Sequence, residues 1–333
     1  MSAILADFRW IGQHGIGRFA REVLSRLTGA QAIPAPGRPT DARDPLRLRR
    51  LLKRLRPDVF FSPGFNAPFR SPVPFVFTIH DLIHLHVAEE SSLAKRAYYR
   101  FLIRPAAHKA FRVVTGSEHA RGQICEWAGL SEDRVVVAGH GVSAGFTPEG
   151  PRHTPPYPYL FYVGNHKPHK NLPRLLEAFA GADIDGELRL VLTGQAEEPL
   201  ARQVRQLSLD QRVVFAGDIP DEDLPGYYRG ASALLIPSLH EGFGLPAVEA
   251  MACGTPVVAA NTTSLPEVVG NAALSVDPYD AAAISRAIQE IVGNQSLRRR
   301  LSAAGLERAA QFTWDKTAAC VAQVLAEAIE AGS

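Results

Sequence analysis

Two glutamates, Glu241 and Glu249, stand with seven residues between them in "HEGFGLPAVEAMACGTPVVAA" (240–260), a stretch made almost wholly of apolar residues, glycine and proline. An acid in such a setting needs a partner or a ligand, because an isolated carboxylate is costly to take out of water. Gly242 and Gly244 make a loop, Pro246 suits the first position of a helix, and Gly254 suits its end. "TPVVAA" (255–260) then reads as a buried strand. Glu241 therefore lies on the loop before the helix and Glu249 one turn inside it. Between them the amides of Phe243, Gly244 and Leu245 form a positive helix end, a seat for an anion. Taken alone, Glu249 is equally explained as a solvated helix acid.

Three other stretches carry residue types that complement this one. "YVGNHKPHKNLPRLLEAF" (162–179) ends a strand at Gly164, offers Asn171 as a helix cap and places Pro173 in the first turn. Lys167 and Lys170 then hang near a positive helix end, a pairing suited to a diphosphate; a solvated pair is the alternative, and for Lys167 the solvated reading is preferred. "FAGDIPDEDLPGYY" (215–228), with Ile219, supplies a loop whose backbone can frame a flat base. "TIHDLIHLH" (78–86) presents His80 and Asp81 at a strand end, where a ring nitrogen and a carboxylate can meet a polyol. His84 and His86 make zinc conceivable, but the spacing matches no metal signature, so metal is the weaker reading.

"IGQHGIGRFAREV" (11–23) is a glycine turn opening a helix, and Gly15-Ile16-Gly17-Arg18-Phe19-Ala20 fits the relaxed dinucleotide fingerprint. That fingerprint needs an acid at the end of the second strand. Here "AIPAPGRPTDARD" has none before Asp41 and places prolines where the strand should end, which disfavours a dehydrogenase. A tight strand–helix turn accounts for the glycines themselves. Taken together, cationic and helix-end anion sites, hydroxyl-seeking carboxylates and a base-sized slot describe a nucleoside diphosphate carrying a sugar.

The elements that position these groups alternate along the chain. Strands are predicted at 2–8, 58–61, 74–79, 111–115, 134–138, 159–163, 188–193, 212–215, 233–237, 256–260 and 273–276, with helical patterns between them. Runs such as "VVVA" and "LVLT" are apolar on both faces, as strands of a covered parallel sheet must be. With 333 residues the chain exceeds the usual reach of one core, so two α/β domains are expected, with ligands at the carboxyl ends of their strands. "PEGPRHTPPYP" (148–158) is proline-rich and predicts a stiff linker between them. The final segment, 313–332, has Val321, Val324, Leu325 and Ile329 on one helical stripe and no strand after it, so it is free to pack elsewhere.

Bulk properties exclude other classes. The 36 basic and 34 acidic residues leave a net charge of +2, which gives no support for nucleic-acid binding. Cys125, Cys253 and Cys320 lack metal or redox spacing, consistent with a reducing compartment. The first residues meet Asp7 and Arg9 before a signal-peptide core could form, and no long uncharged apolar run spans a membrane. "PLRLRRLLKRLRP" (45–57) places Leu48, Leu51, Leu52 and Leu55 on one helical face and Arg47, Arg49, Arg50, Lys53, Arg54 and Arg56 around the rest. The leucines are expected on the sheet and the cations in water, where six of them on an exposed surface are also suited to an anionic membrane surface should the acceptor be a lipid.

These motifs resemble the retaining glycosyltransferases of family 4, and the likeness runs nearly end to end. The 240–260 stretch resembles the family's E-x7-E signature, "YVGNHKPHKNL" its phosphate-binding turn, "TIHDLIHL" its acceptor-side His-Asp pair, and "VVTGSEHAR…RVVVAGHGV" the end of its first domain. The resemblance implies an α/β fold of two facing Rossmann-like domains, the GT-B type, with a deep interdomain cleft. Residues 1–150 would bind acceptor and 151–312 the nucleotide sugar, with 313–333 a helix packing across the boundary. Carried over by position, Glu241 contacts the donor sugar's hydroxyls and Glu249 the ribose. Lys170 and the amides of Phe243, Gly244 and Leu245 hold the diphosphate, with Ile219 and Asn165 also on the donor side. His80 sits at the sugar's reacting face, Asp81 on the acceptor side, and Gly15 and Gly17 approach the phosphate. One departure stands out: many members carry arginine where this chain has Asn165.

The implied reaction retains configuration, with the acceptor attacking on the face the phosphate leaves and with no metal or cofactor. Glu241, Lys170 and His80 would carry it. The resemblance is nearest to builders of bacterial surface polysaccharide, such as lipopolysaccharide, many of them mannosyltransferases. GDP-mannose is thus the favoured donor over a UDP-hexose, a glycan or lipid-linked saccharide the acceptor, and the inner face of the membrane, from a cytoplasmic pool, the expected location. A nucleotide-sugar epimerase of the same fold, or a non-catalytic nucleotide-sugar binder, is the alternative.

Overall fold

The computed structural model describes residues 3–12 and 15–332, and these form two α/β units. Among the described residues, twelve strands build two six-stranded sheets in which every strand pair is parallel. The first unit contains β1 (Ile4–Ala6), β2 (Ala30–Ala32), β3 (Val59–Ser62), β4 (Phe75–Thr78), β5 (Arg112–Thr115) and β6 (Val135–Val137), in the order β2-β1-β3-β4-β5-β6. The second contains β7 (Tyr159–Tyr162), β8 (Arg189–Leu192), β9 (Val213–Phe215), β10 (Ala233–Ile236), β11 (Val257–Ala260) and β12 (Ala273–Val276), in the order β12-β11-β10-β7-β8-β9. In both sheets the strand order reverses beside the first strand, between β1 and β3 and between β7 and β10. Open α/β sheets bind ligands outside the carboxyl ends of strands at such a reversal.

The continuous apolar runs follow from burial on both faces. In β7, Leu160 and Tyr162 join a core with Leu175, Phe179 and Ile288, while Tyr159 and Phe161 face a second core with Val248, Met251 and Leu265. The strand missed by sequence reasoning is β2, which precedes the prolines that stand where the second strand should end. Its "AQA" has no apolar run because it is an edge strand with Gln31 and Ala32 exposed, and it ends before Pro34. Its register against β1, Ile4 opposite Ala30, is short but regular.

Packing also bears on the expected linker and terminal helix. The units divide at Gly141–Val142, upstream of the proline-rich stretch. That stretch belongs to the second unit and packs on it: the His153 ring stacks on Tyr227 at 3.9 Å, and the His153 N–H donates to the Gly226 carbonyl at 2.9 Å. The terminal helix Trp314–Gly332 belongs to the first unit, packed on the helix Gly15–Leu24 and on β3 and β4. Its stripe is buried there through Trp314, Val321, Val324 and Leu325, each side chain contributing ~2 kcal/mol of apolar burial.

The helix Asp44–Leu55 carries the basic segment. Leu48, Leu51 and Leu52 are buried against the first unit's core, while Arg49, Arg50, Lys53 and Arg54 are exposed. Two details differ from the expected face. Leu55 is exposed, and Arg47 is half-buried and paired with Asp41 at 2.8 Å. Among the described residues no helix is long and apolar enough to cross a membrane.

Candidate active site

The strongest constellation lies at the strand reversal of the second unit. β7 leads through Gly164 into a short 3-10 turn, Pro168–Lys170, and β10 leads through Pro237 to Glu241. These neighbouring strand ends bring Lys170 and Glu241 together across 71 residues of sequence: Lys170 Nζ donates to Glu241 Oε1 at 2.7 Å. Ser238 Oγ donates to the same oxygen, also at 2.7 Å. Both side chains of the ion pair are largely shielded, 12% and 8% exposed. The backbone of Glu241 is fixed as well, its N–H donating to Thr263 Oγ1 at 3.1 Å and its carbonyl accepting from Ser264 Oγ at 2.9 Å. Thr263, on the loop after β11, holds a φ of 57°, uncommon for a β-branched residue and typical of strain kept where a site requires it.

Burial is the largest influence on the Glu241 carboxyl and pushes its pKa up. The Lys170 charge, the hydrogen bonds from Lys170 and Ser238, and the His169 charge outweigh it, so the group sits below its ordinary value and is a carboxylate at neutral pH. Tyr162, at the end of β7, shows the opposite outcome: burial, with Glu241 nearby, pushes its phenol well up. Its hydroxyl donates to the Asn165 carbonyl at 2.6 Å, shaping the turn.

The glycine loop and helix form as the sequence indicates. Gly244 caps the helix Leu245–Ala252 with a φ of 102°, where a Cβ would meet Leu265 Cδ2 at 2.6 Å, so both conformation and space demand glycine. The helix closes on a Schellman arrangement, Thr255 N–H to the Ala250 carbonyl and Gly254 N–H to that of Met251. Glu249 lies inside this helix, 2% exposed, and Tyr228 OH donates to its Oε2 at 2.9 Å. It is therefore a buried, partnered acid, not the solvated helix acid that served as its alternative.

Other expected groups fall as follows. Asn171 is at the start of the helix Leu172–Ala180, yet its side chain does not cap it. Its amide instead donates to the carbonyls of Pro237 and Pro278 at 3.0 and 2.7 Å, tying the loops after β10 and β12 to the lysine turn. Lys167 and Asn165 are exposed, with Asn165 Oδ1 accepting from the Lys167 N–H at 3.3 Å. Ile219 is half-buried on the loop after β9 and packs on the second unit's core.

In the first unit, His80 follows β4. Its Nε2 lies 2.9 Å from the Pro63 carbonyl, which can only accept, so Nε2 carries the proton. The ring meets Phe19 edge-on at 4.9 Å and lies 5.6 Å from His140. His140 is buried, which, with His80 nearby, pushes its pKa well below the ordinary histidine value. Asp81 Oδ1 accepts from the Ile83 N–H at 3.1 Å. Gly15 and Gly17 open the helix Gly15–Leu24, and a Cβ on Gly17 would fall 2.5 Å from the Gly12 backbone; the turn is close-packed there. Of its preceding residues, Gln13 and His14 lie outside the described residues. His84 is set edge-on to Tyr99 at 4.1 Å, and burial lowers its pKa. Among the described residues no group of three or more His, Cys, Asp or Glu is placed to hold a metal.

Sequence reasoning missed one feature of the first unit entirely. At its strand reversal, Asp7, Asp44 and Asn66 are fully buried around Arg9. Arg9 contacts Asp7 Oδ2 at 2.6 Å and Asp44 Oδ1 at 2.7 Å, and Asn66 Nδ2 donates to both acids at 2.8 and 2.9 Å. Trp10 Nε1 donates to Asn66 Oδ1 at 2.6 Å, completing the set. The members are scattered from 7 to 66 and share no motif. Ser238 and Tyr228 were missed too, although "PSLHEG" and "GYY" place a hydroxyl close to each glutamate's fold position.

Comparison with known proteins agrees with this architecture. Residues 147–308 match the family described as Glycosyl transferases group 1, and residues 8–146 match Glycosyltransferase Family 4. The chain is similar to O-antigen chain mannosyltransferase B of Escherichia coli, 32% identical over 295 residues that cover 84% of this chain and 76% of the relative. It is also similar to O-antigen chain mannosyltransferase RfbU of Salmonella typhimurium, 28% identical over 217 residues, 64% of this chain and 60% of that one. Among solved structures, sucrose-phosphate synthase from Thermosynechococcus elongatus superposes with a TM-score of 0.81 at 21% identity, covering 99% of this chain and 100% of that one. Anabaena HepE in complex with UDP and glucose gives 0.81 at 18%, covering 98% and 100%. These relatives do not favour an epimerase or a non-catalytic binder. The chain belongs to the family 4 glycosyltransferases and is a glycosyltransferase of the GT-B fold.

Proposed function

We propose that this enzyme moves mannose, with retention, from GDP-mannose to a glycan or lipid-linked saccharide in surface polysaccharide synthesis. The observation that carries the donor assignment is the Lys170–Glu241 contact of 2.7 Å at the strand reversal, beside the start of the helix Leu245–Ala252. It sets a cation for a diphosphate next to a carboxylate for sugar hydroxyls. The choice of mannose rests on the names of the two O-antigen relatives. In the proposed step the acceptor hydroxyl oxygen bonds to the anomeric carbon as the bond to the diphosphate oxygen breaks, and the hydroxyl proton passes to the departing phosphate. Lys170 and the amides of Phe243, Gly244 and Leu245 stabilise the charge that develops there. Glu249, steadied by Tyr228, takes the ribose, and the loop bearing Ile219 and the turn at Asn165 complete the donor side. From the first unit, His80 and Asp81 serve the acceptor side, with Gly15 and Gly17 toward the phosphate.

No metal or cofactor takes part in this scheme. The exposed Arg49, Arg50, Lys53 and Arg54 support an anionic membrane surface as a further partner, at ~1 kcal/mol per cation near the lipid. A panel of GDP-mannose, UDP-glucose and UDP-N-acetylglucosamine, scored by thermal shift and donor hydrolysis with and without chelator, tests the reading. GDP-mannose should stabilise and turn over best in both conditions. Preference for a UDP-sugar, or loss of activity with chelator, contradicts the corresponding part.

A further inference from the structure

Glu241 is held by two donors that converge on one of its oxygens. Lys170 Nζ and Ser238 Oγ both reach Oε1, and among the described residues no side chain or backbone group donates to Oε2. The two donors are not equivalent. Lys170 ends a flexible four-carbon stem and carries one charge, which a diphosphate would also claim. Ser238 is fully buried on the loop directly after β10, and its hydroxyl has one proton, directed at Glu241. Ser238 therefore cannot follow a ligand, whereas Lys170 can.

We propose that Ser238 is the positioning residue for Glu241 in the donor complex: it keeps Oε1 fixed when Lys170 turns toward the diphosphate, leaving Oε2 to accept sugar hydroxyls. The inference rests on the donor site described above. The other groups around this carboxylate are Lys170 and His169 from the 3-10 turn, Tyr162 from β7 and the Thr263 hydroxyl from the loop after β11. Of these, Thr263 binds the Glu241 backbone and leaves the carboxylate to the others.

The test uses the full chain as wild type, Ser238→Ala, Glu241→Gln and the double variant. The Glu241 carboxyl is followed by 13C NMR without ligand and assigned by its absence in Glu241→Gln; turnover is measured with GDP-mannose across pH. Ser238→Ala should move the carboxyl titration to higher pH, lower kcat about tenfold and shift the acid limb of the kcat profile upward. The double variant should be no slower than Glu241→Gln, because Ser238 acts only through that carboxylate. A lower Tm with an unmoved titration and an unmoved acid limb would overturn the proposal, as would additive losses in the double variant. Wild type inert toward GDP-mannose counts against the donor assignment alone, and the ligand-free titration still decides the role of Ser238.

Discussion

At the reversal between β1 and β3 the first unit surrounds Arg9 with two fully buried aspartates and Asn66, while between β7 and β10 the second unit pairs one lysine with one glutamate whose Oε2 has no donor among the described residues. The same topological position is thus filled in one sheet and prepared in the other. In the first, Arg9 and Asn66 serve both carboxylates, and burial of the guanidinium is outweighed by the two acids, which raise its pKa further. Such a knot fixes loops. In the second, the partners are fewer than the lone pairs they meet, the condition for taking up a ligand. A buried ion pair is thus evidence of function only when its hydrogen-bonding capacity is incomplete.

Substitutions on the two sides should separate activity from stability. Glu241→Ala and Lys170→Met are expected to lower turnover by about 10²–10³-fold while the circular dichroism spectrum stays native. Lys170→Arg should not restore the loss, since a forked guanidinium does not replace a point charge at this distance. Near-normal turnover in Glu241→Ala would end the comparison. Arg9→Met should do the reverse, costing about 3–5 kcal/mol in urea unfolding by stranding two buried carboxylates, with kcat near wild type in the folded fraction. A stable Arg9→Met variant with lost turnover would make the first unit's knot part of the chemistry.

The smaller effects sharpen the picture within the second unit. Tyr228→Phe removes only the hydroxyl on Glu249 Oε2 and keeps the ring packed against Phe161 and Phe146. Donor KM should rise about fivefold with kcat little changed; an unaltered KM would detach Tyr228 from donor binding. The pH effect is the smallest. The Glu241 carboxyl lies below its ordinary value of 4.5, so its contribution to stability is present above that pH and lost as pH falls through the folded value. The stability gap between wild type and Glu241→Gln should therefore narrow as pH is lowered below 4.5. A gap that widens on acidification would contradict the ion pair.

These contrasts also mark what was legible in the sequence. Strands buried on both faces, such as β7 and β11, announce themselves as apolar runs, and the glycines and proline around Glu241 fix a loop and helix locally. β2 did not, because an exposed edge strand needs no apolar run. Glu241, Glu249 and Lys170 were readable from residue type and spacing. Their partners were not: Ser238 meets Glu241 on the loop after β10, Tyr228 meets Glu249 only when the helices before and after β10 pack, and Asp7, Asp44 and Asn66 meet only after β1 and β3 pair. Asn171 shows the same limit, being a plausible cap by sequence and a tie between strand-end loops in the fold.

The central claim is that the second unit's strand reversal, and not the first's, takes the donor. Isothermal titration of GDP-mannose into wild type, Lys170→Met and Arg9→Met, all below the melting temperature of the weakest, tests it most directly. Binding should weaken at least about tenfold in Lys170→Met and stay within about twofold of wild type in Arg9→Met. Wild-type affinity in Lys170→Met, with loss of binding in Arg9→Met, would place the donor at the other reversal and contradict the account.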